Sequence, residues 1–248
     1  MRTETEGLIL KEQTIGDKDR LVTVLTKNQG VLRCFVRGGK NMKNTCFAAT
    51  QTMCYSRLSI FHGKSSYVID EAESIRLFYQ IRKDIEQLAL AQYFCELAIF
   101  AVPEGTESSE QLRLLLNCLH FIPLGTKPLL FIKAVYELRL MISLGYHPDM
   151  LYCTGCGCYE ADLMYFDTVK NHLICSSCTD GAPGLCGLSR GALTAFRYLV
   201  VADPKKIFSF QTSPESLEQL AKCTEAFVLE RFKQPFTALE FYRQVRTS

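Results

Sequence analysis

The chain has 248 residues, 48% of them hydrophobic and 22% charged, which is enough apolar sequence to bury one large core or two to three small ones and excludes a disordered chain. No apolar run approaches the ~18 residues of a membrane span, and the opening MRTETEGLILKEQ lacks the basic and apolar regions of a secretory signal, so a cytoplasmic protein is expected. The formal net charge of +2 says little, but from Lys18 to Lys64 nine basic residues stand against one acid, Asp19. That pattern suits a localised polyanion-binding face, and equally the solvated surface of a small β domain.

From residue 7 to 74 the pattern is that of strands. GLILKEQ, RLVTVLT, GVLRCFVRG, MCYSRLSIF and SYVIDEAES are five β-rich runs, separated by turn signals at Gly16-Asp17, Asn28-Gln29-Gly30, Gly38-Gly39 and His62-Gly63. Five short strands suit a small antiparallel barrel, with an oligonucleotide-binding (OB) fold as the leading candidate. In the third run, alternation sets Arg33, Phe35 and Arg37 on one face and Leu32, Cys34 and Val36 on the other.

After about residue 78 the period becomes helical. One helix is expected from Asp84 as its cap, and a second places Leu112, Leu115, Leu116 and Leu119 along one stripe. A third has Pro128 in its first turn and Gly145 at its end. Farther on, Ser189 and the Ser213-Pro214 pair open two more helices, the second with Leu217, Leu220, Ala221, Thr224, Phe227 and Val228 on its buried face.

The helical region is interrupted by LYCTGCGCYEADLMYFDTVKNHLICSSCTDG. In a reducing compartment the twelve cysteines argue against a disulfide framework. The scattered Cys34, Cys46, Cys54, Cys95, Cys118, Cys186 and Cys223 read as small buried apolar residues. Cys153 and Cys156 form one C-x2-C pair, Cys175 and Cys178 another, at the spacing of a zinc site. Two such turns can present four thiolates tetrahedrally, and Gly155 and Gly157 are expected to supply positive φ to the first turn. Cys158 reads as a bystander, and His172 is the alternative fourth ligand in a three-cysteine, one-histidine shell. Four thiolates leave no position for water, so one structural Zn(2+) ion is expected rather than a catalytic one. With little apolar periodicity between about Gly145 and Leu185, the excursion is expected to need that ion as a staple.

Motifs for catalysis are absent from the sequence: it contains no HExxH, GxSxG, GxxxxGK[ST] or GxGxxG, and no deaminase pattern. His62, His120 and His147 stand alone and read as structural. The expected architecture is therefore α+β and multidomain. An OB-fold β-barrel is assigned to residues 1–77 and an α-helical domain to 78–248, carrying a zinc-finger insertion at 146–186.

Three stretches, GLILKEQTIGDKDRLVTVLTKNQGVLRCFVRGGK, YELRLMISLGYHPDMLYCTGCG and FVLERFKQPFTALEFYRQV, carry a resemblance to the RecO family of bacterial recombination mediators: the first is similar to the family's opening, the second to its helix leading into the first zinc knuckle, and the third to its closing helical segment. The resemblance implies a protein that binds single- and double-stranded DNA and anneals complementary strands. It also implies work with RecR to help RecA replace single-stranded DNA-binding protein on gapped DNA, at the nucleoid during repair. The acidic, phenylalanine-ended tail of that binding protein is a further implied partner, for which Lys133 and Arg139 are the candidates. The candidate DNA-binding residues are Arg20, Arg33, Phe35, Arg37, Lys40, Lys43 and Arg57, with Phe47, Tyr55 and Phe61 as further rings for stacking. GGKNMKN carries fewer arginines than the family's loop often does. The rival readings are a zinc-ribbon module that binds protein or RNA without annealing DNA, and a metal-dependent hydrolase, which a closed four-thiolate shell disfavours.

Overall fold

Period-two alternation in the first third of the chain becomes a barrel. In the computed structural model, which describes residues 1–41, 44–63, 66–179, 181 and 183–246, the strands are β1 (Arg2–Ile15), β2 (Asp19–Thr26), β3 (Val31–Val36), β4 (Cys54–His62) and β5 (Tyr67–Leu77). They close in the order β1-β2-β3-β5-β4, with β1 also paired to β4 and β3 parallel to β5. This is the OB arrangement, and a short helix α1 (Cys46–Ala49) lies between β3 and β4. A bulge between Ile9 and Lys11 lets β1 bend, so that its first half pairs with β4 and its second half only with β2. Ile9, Val22, Val24, Leu32, Cys34, Val36, Leu58, Ile60 and Ile69 fill the interior.

The chain divides into two compact units, Met1–Pro123 with Phe236–Ser248, and Leu124–Pro235. In the first, the barrel carries α2 (Ile85–Ala101), α3 (Ser109–Phe121) and the closing helix α7 (Thr237–Arg246). Asp84 caps α2 as the sequence predicts, its carboxylate accepting from the Gln87 N–H at 2.9 Å. On α3 the buried stripe runs through Leu112, Leu114, Leu115 and Leu119, with Leu116 only half-buried. The β2–β3 turn is held by the segment after α2: the Ser108 hydroxyl donates to Thr26 O at 2.7 Å and Gly105 N to Gln29 O at 2.9 Å. Gly30 is required there, because its φ is +66° and a Cβ would lie 1.9 Å from Pro103 O.

The second unit is built on α4 (Leu129–Ser143), every residue of which from Leu130 to Ile142 is buried. α5 (Arg190–Val201) and α6 (Pro214–Phe232) pack on it, capped by the Ser189 and Ser213 side chains as expected. All six residues expected on the buried face of α6 are buried.

Here the architecture departs from the sequence reading. The cysteine excursion is a four-stranded sheet, with β6 (Asp149–Cys153), β7 (Leu163–Asp167), β8 (His172–Cys175) and β9 (Leu185–Ser189) in the order β6-β8-β7-β9. Its strands are only four or five residues long, too short for periodicity to register. Met164, Phe166, Leu173 and Leu188 are nevertheless fully buried, and Phe166 lies 5.3 Å from the rings of both Phe196 and Phe227. An apolar anchor therefore supports the insertion alongside the cysteines.

Candidate metal centre and nucleic-acid face

The two C-x2-C turns sit at the ends of β6 and β8, which pair in parallel and so bring Cys153 and Cys175 together. The sulfurs of Cys153, Cys156, Cys175 and Cys178 all lie within 4.8 Å of one another. The Cys156 and Cys175 sulfurs are 3.7 Å apart. That matches the edge of about 3.8 Å demanded by a tetrahedron with ~2.3 Å metal–sulfur bonds.

Backbone geometry supports the centre. Cys175 N donates to the Cys153 sulfur at 3.2 Å. Burial raises the Cys153 thiol, but backbone N–H groups of Cys175, Cys156 and Gly155 outweigh it and hold the thiol at about 6. Hydrogen bonds to Cys175 and Cys156 push the Cys178 thiol up to about 12, so without a cation the cluster resists full ionisation. A metal ion would remove that conflict. The glycines serve differently from one another: Gly157 has the expected φ of +73°, whereas Gly155 has no positive φ and is needed because a Cβ would meet Cys178 Cβ at 2.8 Å. Neither Cys158 nor His172 belongs to the four-sulfur group. Of the scattered cysteines, six are buried and Cys186 is half-buried.

On the barrel, Arg33, Phe35 and Arg37 are exposed on one face while Leu32, Cys34 and Val36 are buried on the other, as alternation predicts. The register sets Thr23 beside Arg33 and Leu21 beside Phe35. Lys40 is exposed in the loop after Arg37; its N–H donates to Lys18 O at 3.1 Å and Gly38 N donates to the Asp19 carboxylate at 2.9 Å, which holds that loop against the β1–β2 turn. Lys43 lies outside the described residues.

Four expected cations lie elsewhere. Arg20 shares the inward face of β2 with Val22 and Val24 and is only 8% exposed. Its guanidinium donates to Phe47 O and Thr50 Oγ1 at 3.2 Å and pairs with Glu12 at 3.0 Å, closing the barrel end instead of facing solvent. Arg57 is exposed, but it pairs with Glu73 at 2.9 Å and stands opposite Glu6, in an acidic setting apart from Arg33. Lys133 and Arg139 are 2% and 8% exposed. Lys133 Nζ lies 2.8 Å from both Glu137 and Glu225, and Arg139 donates to the carbonyls of Leu199, Val200 and Ala202 at the end of α5. Neither is a surface cation, because the wide apolar face of α4 carries both into the interior.

Among the rings, Phe35 and Phe61 are 37% and 44% exposed. Phe47 lies under the Arg20 guanidinium, and Tyr55 donates to Glu6 at 2.7 Å. His62, expected to stand alone, instead stacks on Tyr67, a ring the sequence did not single out, with centroids 4.4 Å apart and 16° between planes. Tyr67 also donates to Glu104 Oε1 at 2.8 Å, a bond that raises its phenol. Their five-residue separation follows neither strand nor helix period, so only the β4–β5 register, which sets His62 opposite Tyr67, reveals the pair.

Among the described residues, no helix is long and apolar enough to cross a membrane. The chain matches the family described as Recombination protein O N terminal over residues 1–78, and Recombination protein O C terminal over residues 82–240. It is 32% identical to the DNA repair protein RecO of Acetivibrio thermocellus, over 97% of this chain and 96% of that one. It is 28% identical to the protein of the same name from Symbiobacterium thermophilum, over 98% and 97%, and 26% identical to that of Alkaliphilus metalliredigens, over 99% and 100%. With a barrel in OB order, a four-cysteine centre and matches along essentially its whole length, the chain belongs to the RecO family.

Proposed function

We propose that this protein acts in DNA repair by binding single-stranded DNA on its barrel and annealing complementary strands, without enzymatic chemistry. The observation that carries the reading is the exposure of Arg33, Phe35 and Arg37, with Lys40 exposed in the loop that follows, within a family whose relatives are named for DNA repair. Arg33, Arg37, Lys40 and Lys43 neutralise phosphates and release counterions, lowering the repulsion between two strands, while Phe35 offers a ring to a base. Base pairing then supplies the free energy of annealing. Double-stranded DNA is held by the same cations, since phosphate contacts carry no sequence information.

The four thiolates hold one structural Zn(2+), for which the donor set, the C-x2-C spacing and the 3.7 Å sulfur separation speak. Zinc there orders the ends of β6 and β8 and takes no part in a reaction. The protein works in the cytoplasm at the nucleoid, with RecR, helping RecA onto DNA coated by single-stranded DNA-binding protein. It meets that protein's acidic tail through the helical region, at a site other than the buried Lys133 and Arg139.

The test is fluorescence anisotropy with a labelled oligonucleotide across a salt series. Binding should weaken steeply with salt, and Arg33→Glu with Arg37→Glu should flatten the log–log slope by about 0.7 for each phosphate contact removed. An unchanged slope would remove this face from the reading. No binding by folded, metal-loaded protein would favour a protein-interaction module instead.

A further inference from the structure

A groove of about 640 Å³ runs beside the β2–β3 face, lined by Arg33 and Phe35 on the barrel, His62 and Tyr67 at the β4–β5 end, and Phe100 and Glu104 from α2 and the segment after it. Its chemistry exceeds what phosphate binding requires. Phe35 and Phe100 are 37% and 46% exposed, and the stacked His62–Tyr67 pair adds a second aromatic surface. Glu104 is the anomaly: it is an exposed carboxylate in a groove shared with Arg33, where a polyanion would be repelled. Tyr67 holds it by one hydrogen bond, and a carboxylate offers about four acceptor positions.

We propose that this groove receives one unpaired guanine base of a single-stranded DNA bound as described above, a proposal that rests on that DNA-binding reading. An ionised carboxylate only accepts hydrogen bonds. Guanine alone among the four bases presents two adjacent donors, N1–H and the N2 amino group, to such an acceptor, whereas adenine and cytosine set one donor beside an acceptor, and thymine one donor between two acceptors. Glu104 reads that pair of donors, the aromatic rings cover the base faces, and Arg33 holds a flanking phosphate. The carboxylate that repels the backbone thereby becomes the element that selects the base.

The experiment is competition anisotropy at fixed salt with oligo(dT) strands carrying dispersed guanine, adenine or inosine. Guanine strands should bind about five-fold or more tighter than adenine strands, the lower end of a bidentate base contact. Inosine, lacking the N2 amino group, should fall between. Glu104→Gln should collapse the guanine-to-adenine ratio toward unity whichever way the overall affinity moves, and Tyr67→Phe, which frees the carboxylate from its tether, should reduce it. Equal, salt-sensitive binding of guanine and adenine strands overturns the guanine site and leaves the DNA-binding reading intact. A ratio that survives Glu104→Gln also overturns it. No binding to any strand overturns both.

Discussion

Lys133→Ala tests the interior of the second unit. Lys133 is 2% exposed and its ammonium bridges Glu137, fully buried, and Glu225, whose side chain is 22% exposed, at 2.8 Å each. Thr224 donates to the other Glu137 oxygen at 2.7 Å, so truncating the lysine takes the ammonium away from a fully buried carboxylate that a hydroxyl does not neutralise. Breaking a buried pair by removing one member costs about 3–5 kcal/mol, mostly from the charge left behind. With a urea slope of about 2 kcal/mol/M, the transition of this unit should move down by about 2 M, monitored by far-UV circular dichroism. Replacing Lys133, Glu137 and Glu225 together by apolar residues of similar volume should recover most of that loss, because the isolated charge is then absent. A Lys133→Ala protein that unfolds at the parent's midpoint, yet loses affinity for an acidic phenylalanine-ended peptide, would refute the interior assignment and restore the lysine as a surface contact.

Burial raises the Glu137 carboxyl above its ordinary 4.5. The folded state therefore holds this proton more tightly than the unfolded chain, and the group's contribution to stability declines as pH rises from 4.5 toward its higher folded value. Glu137→Gln should flatten thermal stability against pH there, and an identical profile would count against the assignment. Cys175→Ser should abolish stoichiometric metal binding and lower the melting temperature of the second unit before it alters DNA affinity, read by metal analysis with calorimetry and anisotropy. Loss of DNA binding at an unchanged melting temperature would contradict a purely structural centre. Gly30→Ala forces a left-handed backbone on alanine, costing about 1–2 kcal/mol, and drives a Cβ to 1.9 Å from Pro103 O. Denaturation should show at least that loss, and a neutral effect would mean that the β2–β3 turn can separate from Pro103.

The barrel and its helices were legible because each strand and helix carries its own period. Alternation in β3 separates Arg33 and Phe35 from Leu32 and Cys34, and the serine and aspartate caps fall where the sequence puts them. The four-cysteine cluster was legible for another reason: C-x2-C spacing is local chemistry, and two turns need only one strand pairing to meet. The small sheet escaped notice because strands of four or five residues cannot establish a period, and their burial is set by Phe196 and Phe227, which lie on distant helices.

Charge was the least legible quantity, and the reason is geometric. Arg20 and Arg33 lie on adjacent strands of one barrel in one basic segment, but β2 register turns Arg20 inward with Val22 while β3 register turns Arg33 outward with Phe35. A count of cations cannot separate them, because strand parity reverses at every residue. Arg57 shows the same limit in another form, since its neighbours Glu6 and Glu73 reach it only across β1 and β5. Helix α4 adds a third: a lysine and an arginine that would ordinarily be solvated are buried because acids on α4 and α6, and carbonyls at the end of α5, compensate them. A basic segment therefore becomes a basic face only at positions whose register, cross-strand partners and helix packing all leave the charge outward. In this barrel Arg33, Arg37 and Lys40 are exposed at such positions, and those are the residues whose reversal should change the salt dependence of DNA binding.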